Sequence, residues 1–161
     1  MHETPEDLAA LQRLLDDSHA RAGRHLRSIF DDDRRITAAD LPALLPGVQV
    51  LNLATVTARG EPRVAPVDGL FYRARFWFGS AHDSARFRHL RRRPAVSAAH
   101  TRGEEVAIIV HGLAVEVSLD GHPFRDYCYE VYGEAWEEFG PGAAYACIEP
   151  RAMFTFRNVA R

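Results

Sequence analysis

The chain contains no lysine: all 20 of its basic residues are arginine. Every cationic contact from a basic side chain is therefore a planar guanidinium, and Schiff-base chemistry through a lysine is excluded. Cysteine is scarce too. Cys128 and Cys147 are too few for a disulfide framework and suit a reducing compartment. An excess of one charge is also missing. The formal net charge of −2 argues against binding nucleic acid through bulk charge. No apolar run approaches the roughly 20 residues of a membrane span. The stretch from Met1 to Asp7 is acidic and lacks a signal peptide's basic region and apolar core, so a cytoplasmic protein is expected. His82, His89, His100 and His111 show no metal-ligand spacing, and no metal site is expected.

What remains is globular in composition: 47% hydrophobic and 26% charged over 161 residues, enough for one domain with a real core. Thr4 can cap a first helix, Pro5 fits its first turn, and Glu6 and Asp7 suit its positive end. Leu8, Leu11, Leu15, Ser18, Ala22, His25 or Leu26, and Ile29 recur at helical spacing, which predicts one apolar stripe along that helix. Arg21, Arg24 and Arg27 form a basic edge beside it, read as a solvated face. Thr37 is placed as the cap of a short helix through Leu44, stopped by Pro46-Gly47.

From Val48 the period changes to that of strands. Strands are predicted over Val48 to Thr57, Arg63 to Tyr72, Arg75 to Gly79, Ala95 to Thr101, Val106 to Val117 and Tyr145 to Phe156. The strand from Val106 is apolar on both faces, which fits a barrel wall with core inside and a helix or second subunit outside. Phe124, Tyr127, Cys128, Val131, Tyr132, Ala135, Trp136 and Phe139 follow helical spacing through four turns and predict one amphipathic helix ended by Gly140-Pro141-Gly142. Cys128, Tyr132 and Trp136 are read as packing residues there.

The stretch Phe76-Trp77-Phe78-Gly79-Ser80 followed by Ser84-Ala85-Arg86-Phe87-Arg88-His89-Leu90 places a small-residue strand end directly before a cationic helix start. Hydroxyls, free backbone N–H groups and a guanidinium can together hold a phosphate. From the residues alone, a capped surface helix, with Asp83 or Ser84 as its cap and its arginines solvated, is the preferred reading.

The order of these segments resembles the flavin-binding split-barrel family that includes pyridoxamine 5'-phosphate oxidase. The likeness runs from about Leu44 to Phe156. It rests on Arg63-Val64-Ala65-Pro66-Val67, on Ser80, Ser84 and Arg86, on Leu90 and Arg93-Pro94-Ala95-Val96, on His111-Gly112-Leu113-Ala114 and on Ile148-Glu149-Pro150-Arg151. The resemblance implies a mainly β protein: a split β-barrel of the FMN-binding type (residues 46–161) with rim helices, after an N-terminal helical extension (residues 1–45). It implies a cofactor site of Arg63, Val64, Ala65, Pro66, Val67, Ser80, Ser84, Arg86 and His89, with the flavin phosphate on Ser80, Ser84 and Arg86 and the ring edge along Pro66-Val67. It allows Trp136 a place in the substrate pocket. No protein acid or base is required for hydride transfer, so no catalytic residue is named.

Departures from the true oxidases narrow the reading. Ala85 stands where they carry a second basic residue, Ala107 where they carry glutamine, and the stretch Phe156 to Arg161 lacks their Arg-X-His substrate motif. Pyridoxamine 5'-phosphate is therefore not the expected substrate. The resemblance implies instead a homodimeric oxidoreductase that uses FMN, or alternatively a deazaflavin coenzyme, on a small organic molecule. The alternatives are a flavin- or haem-binding carrier or sensor without turnover, and a dimeric structural module that has lost its cofactor.

Overall fold

The computed structural model describes residues 2–158. Met1 and the stretch Val159 to Arg161, which the sequence reading assigns to the two ends of the helical and barrel segments, lie outside the described residues.

Six antiparallel strands close into a barrel in the order β1-β2-β3-β6-β5-β4. They are β1 (Val48–Val56), β2 (Pro62–Tyr72), β3 (Arg75–Ala81), β4 (Ala95–Arg102), β5 (Val106–Val117) and β6 (Ala143–Arg157). Alternation sets the faces: Gln49, Leu51, Leu53 and Thr55 of β1 point into the barrel while Val48, Val50 and Asn52 point out. The β2–β3 turn holds Arg73 and Ala74 at φ of 51° and 60°, the left-handed pair that a two-residue hairpin needs. Arg73 is tied back to the N-terminus by an ion pair to Asp7 at 2.5 Å.

The barrel is split. β1 meets β4 only through Asn52–Ala54 against Ser97–Ala99. β3 covers only the first part of β6, Ala143–Cys147. The remaining edge of β6 would expose unpaired backbone groups, and the N-terminal segment seals it. Helix α1 (Pro5–Arg21), opened by the Thr4–Asp7 capping box, docks there with Leu11, Leu15 and Ser18 buried. Ser18 Oγ accepts the Met153 N–H at 3.0 Å. Thr155 Oγ1 accepts the Ile36 N–H at 3.0 Å and donates to the Ile36 carbonyl at 2.8 Å.

Three helical expectations need correction. The stripe predicted to Ile29 stops at Arg21: after an extended Gly23, helix α2 (Arg24–Ile29) buries none of its residues. Ser18 is the last buried residue of α1, and beyond the break it is Phe30, off the stripe, that packs against Phe154 and Phe156 of β6. Thr37 does not cap a helix; its hydroxyl donates to Asp40 Oδ2 at 2.9 Å in a turn, and α3 (Leu41–Leu44) begins after Asp40. The long amphipathic helix is broken: α5 (Phe124–Tyr132) ends where Gly133 adopts a φ of 61°. A 3-10 turn over Gly133–Ala135 then leads into α6 (Trp136–Phe139). On β5, Ile108, Val110 and Ala114 are buried, whereas the opposite face is only partly covered and Val115 is 37% exposed.

Two apolar clusters result. The larger, dominated by aliphatic residues, fills the barrel and extends to Leu11, Leu15, Leu41 and Leu45. The second is aromatic and lies on the outer face of β2, β3 and β6 under α5 and α6, with Trp77, Phe124, Tyr127, Trp136 and Tyr145 at its centre. Cys128 belongs to it, and burial pushes its thiol up to about 12, as fits a packing residue rather than a nucleophile.

Candidate functional site

Between β3 and β4 the chain forms helix α4 (Ala85–Arg92), capped by Ser84, whose hydroxyl accepts the Phe87 N–H at 3.3 Å. Phe87 and Leu90 anchor α4 in the barrel core. With those positions fixed, Arg86 lies against β2: its Nη2 donates to the Pro66 carbonyl at 2.9 Å. This contact joins two sequence-predicted parts of the site, the start of α4 and the middle of β2. Arg86 is half-buried, and burial lowers its pKa. Among the described residues no carboxylate lies within ion-pair distance of it. A partly desolvated guanidinium without a counter-charge gains most from an incoming anion.

The other predicted residues divide by strand alternation. Val64, Pro66 and Asp68 face outward, opposite Ala54, Asn52 and Val50 of β1. Arg63, Ala65 and Val67 share the side of Thr55, Leu53 and Leu51. Val67 is buried at 8% exposure, so any ligand along this strand meets its backbone rather than its side chain. Arg63 is exposed and held by Glu61 at 2.8 Å. His89 turns to β1, with Nδ1 2.9 Å from Thr55 Oγ1, a contact that pins α4 to the strand. Ser80 is partly buried at the end of β3 and, among the described residues, its hydroxyl makes no side-chain hydrogen bond.

Ser80 also borders a cleft of about 370 Å³ on the outer face of β2 and β3, walled by the aromatic cluster. Its floor includes Leu70, Trp77 and Gly79, and Asp68 contributes a carboxylate. Gly79 is required there: a Cβ at this position would lie 2.8 Å from Tyr145 Cε1. Trp77 and Phe124 stack at 4.3 Å, and Tyr132 and Phe139 meet edge to face at 5.2 Å across the roof. Burial, reinforced by the Asp68 charge, pushes the Tyr132 phenol up to about 12, so it stays neutral and can donate.

Trp136 does not line this cleft. Its indole is 2% exposed and donates to the Tyr145 hydroxyl at 2.9 Å, bracing the cleft wall from behind. It borders a different hollow, with His82, Glu116 and Arg125. Asp68, Tyr132 and Phe139 are the lining residues the sequence reading missed. The signal was Gly133 inside the helical pattern: an isolated glycine there marks the break that sets Tyr132 and Phe139 over the sheet.

No family model matches the sequence, and no curated protein does. Solved structures match in three dimensions. An FAD-binding protein from Mesorhizobium loti is 20% identical, with a TM-score of 0.62 over 78% of this chain and 98% of that one. An F420 reductase is 18% identical, with a TM-score of 0.54 over 70% of this chain and 94% of that one. The flavocytochrome Anf3 from Azotobacter vinelandii is 12% identical, with a TM-score of 0.61 over 86% of this chain and 73% of that one. Identities this low establish a shared fold, and that fold is the split β-barrel of the family the sequence resembles.

Proposed function

We propose that this protein is a flavin- or deazaflavin-dependent oxidoreductase acting on a small organic molecule. The observation that carries the reading is Arg86: a half-buried guanidinium without a carboxylate partner, fixed on the Pro66 carbonyl at the mouth of α4. The residues fit a phosphorylated flavin. Arg86 supplies the charge, the first turn of α4 offers N–H groups, and Ser80 and Ser84 offer hydroxyl donors. FMN is the cofactor proposed first and a deazaflavin coenzyme second; the neighbours named for FAD and for F420 support that class of cofactor.

A bound flavin supplies the hydride chemistry. The chain's own residues position and shield. Aromatic walls shield the cleft from water, the Asp68 carboxylate at its edge can accept a hydrogen bond from a ligand, and the neutral Tyr132 hydroxyl can donate one. The carrier reading with haem has less support: among the described residues no histidine, cysteine or methionine lines this cleft to ligate iron, and burial raises the pKa of its tyrosines, which keeps them protonated at neutral pH.

The protein is also proposed to work as a homodimer. Val50 and Val64 are 54% and 66% exposed on the outward face of β1 and β2, beside the Pro66 stretch of the site. Isologous pairing through that face would cover them. The direct test of function is reconstitution with FMN and with a deazaflavin coenzyme, followed by absorption spectroscopy and turnover with reduced nicotinamide. A flavin spectrum shifted on binding, with acceptor reduction, is expected. Absence of binding to either cofactor would contradict the reading. Binding without turnover would move it to the carrier class. Pyridoxamine 5'-phosphate is expected not to be oxidised.

A further inference from the structure

The aromatic cleft carries one charge, and that charge is unmatched. Among the described residues Asp68 is the one charged side chain that lines it. No basic side chain among them lies within ion-pair distance of its carboxylate. Arg86 comes near along β2, but it docks on the Pro66 carbonyl instead. Other carboxylates of the fold are held: Asp7 by Arg73, Asp40 by Arg157 and Glu116 by Arg91.

The strand register explains where the charge sits. Asp68 lies on the outward face of β2, between Pro66 and Leu70. Gly69 pairs with Phe78, so one step further along the ladder Asp68 comes beside Gly79. Gly79 has no side chain to screen the carboxylate, and the Tyr145 ring lies against it. The charge is felt across the slot, because it adds to the burial that raises the Tyr132 phenol.

These features select among ligand classes by sign. An anion would meet a carboxylate and, among the described residues, no guanidinium or imidazole in the lining. A neutral ligand would leave the charge of Asp68 without a match. A cation gains twice. It pairs with the carboxylate where the apolar walls reduce the dielectric, and it is attracted by the negative faces of the surrounding rings. Trp77, Tyr132 and Phe139 supply such rings. A volume of about 370 Å³ suits one ring with a short charged arm.

We propose that the cleft takes a small organic cation, an amine or alkylammonium group carried on an apolar or aromatic body, and that Asp68 sets this charge preference. Binding of the cation does not depend on a flavin. That the bound cation is the substrate of the oxidoreductase rests on the reading above.

The test uses three probes with one ring and different charge: benzylamine, benzyl alcohol and benzoate. Each is titrated into the full chain at neutral pH and low ionic strength, without added flavin, following the indole N–H NMR signal of Trp77 on the cleft floor. Benzylamine should bind at least about fivefold more tightly than benzyl alcohol, and benzoate most weakly. Asp68→Asn keeps the size of the side chain and removes its charge. It should weaken benzylamine by about fivefold and leave benzyl alcohol within about twofold. Phe139→Leu keeps apolar bulk and removes a ring; it should weaken benzylamine about two- to fivefold more than benzyl alcohol. Equal binding of the three probes, no binding of benzylamine, or a preference that survives Asp68→Asn overturns the proposal. Asp68 also pairs with Val50 of the proposed dimer face. If Asp68→Asn weakens self-association in sedimentation and leaves benzylamine affinity unchanged, a second copy supplies the counter-charge and the proposal fails. A parallel FMN titration keeps the two readings apart. Benzylamine binding as expected without FMN binding removes the flavin reading and leaves the cation site; FMN binding without benzylamine binding does the reverse.

Discussion

The barrel interior and the aromatic layer outside it are built from different residues and do different work. Inside, Leu51, Leu53, Ile108, Val110 and Ile148 pack with at most 2% exposure. Outside, rings pack stacked or edge to face and leave the cleft of about 370 Å³ open beside Ser80. Aliphatic side chains interdigitate and fill space. Large planar rings, held at fixed angles and broken by Gly133, leave a slot. The interior secures the fold, and the layer outside shapes a cleft.

The contrast can be broken from either side. The largest effect expected is inside: Leu53→Ala should cost about 2–5 kcal/mol through the cavity it leaves. Phe139→Ala, at a residue 48% exposed, should cost no more than about 1 kcal/mol yet lower ligand affinity. Denaturant unfolding and flavin titration of the two variants would separate the regions; equal stability losses would erase the distinction. Next, Val64→Asp should leave the fold intact and weaken self-association by at least about tenfold, since it puts a charge on the proposed pairing face. Sedimentation at micromolar concentration would show a shift toward monomer.

A smaller effect concerns alkali. The Tyr132 phenol rises from its ordinary 10.0 to about 12, first through burial and then through Asp68. Its folded pKa is raised, so the unfolded chain loses the proton first. This contribution to stability is full below pH 10 and is lost as pH climbs toward 12. Tyr127 and Tyr145 shift in the same direction through burial. Tyr132→Phe should therefore make the alkaline loss of stability shallower without removing it. Melting temperatures between pH 9 and pH 11.5 would read this out, and identical slopes would count against a buried Tyr132.

Much of the fold was legible because strand alternation and turn residues are local signals. Val48 to Val56, the Arg73-Ala74 turn and the Ser84-capped helix all follow from neighbours in sequence. Failures occur where the outcome depends on what lies opposite. Ala22 and Ile29 continue a helical stripe, but the chain breaks at Gly23, and it is Phe30, off that stripe, that packs on Phe154 and Phe156 of β6. Trp136 and Tyr132 have the same periodicity and the same aromatic character. Only the bend at Gly133 puts Tyr132 into the cleft and Trp136 behind its wall. The proposed phosphate anchor was visible as Ser84 and Arg86. Its attachment to the Pro66 carbonyl was not, because that contact spans twenty residues of sequence.

That attachment is also the most direct point of attack. Flavin titrations of wild type and Arg86→Ala should be run in parallel with FMN and with riboflavin, which has the same ring and no phosphate. Removing one partly buried, charge-assisted contact is worth about 1.5–3 kcal/mol. FMN affinity should accordingly fall by roughly tenfold to a hundredfold, while riboflavin affinity stays nearly unchanged. An equal loss for both ligands, or none for either, would contradict the assignment of Arg86 as the phosphate anchor.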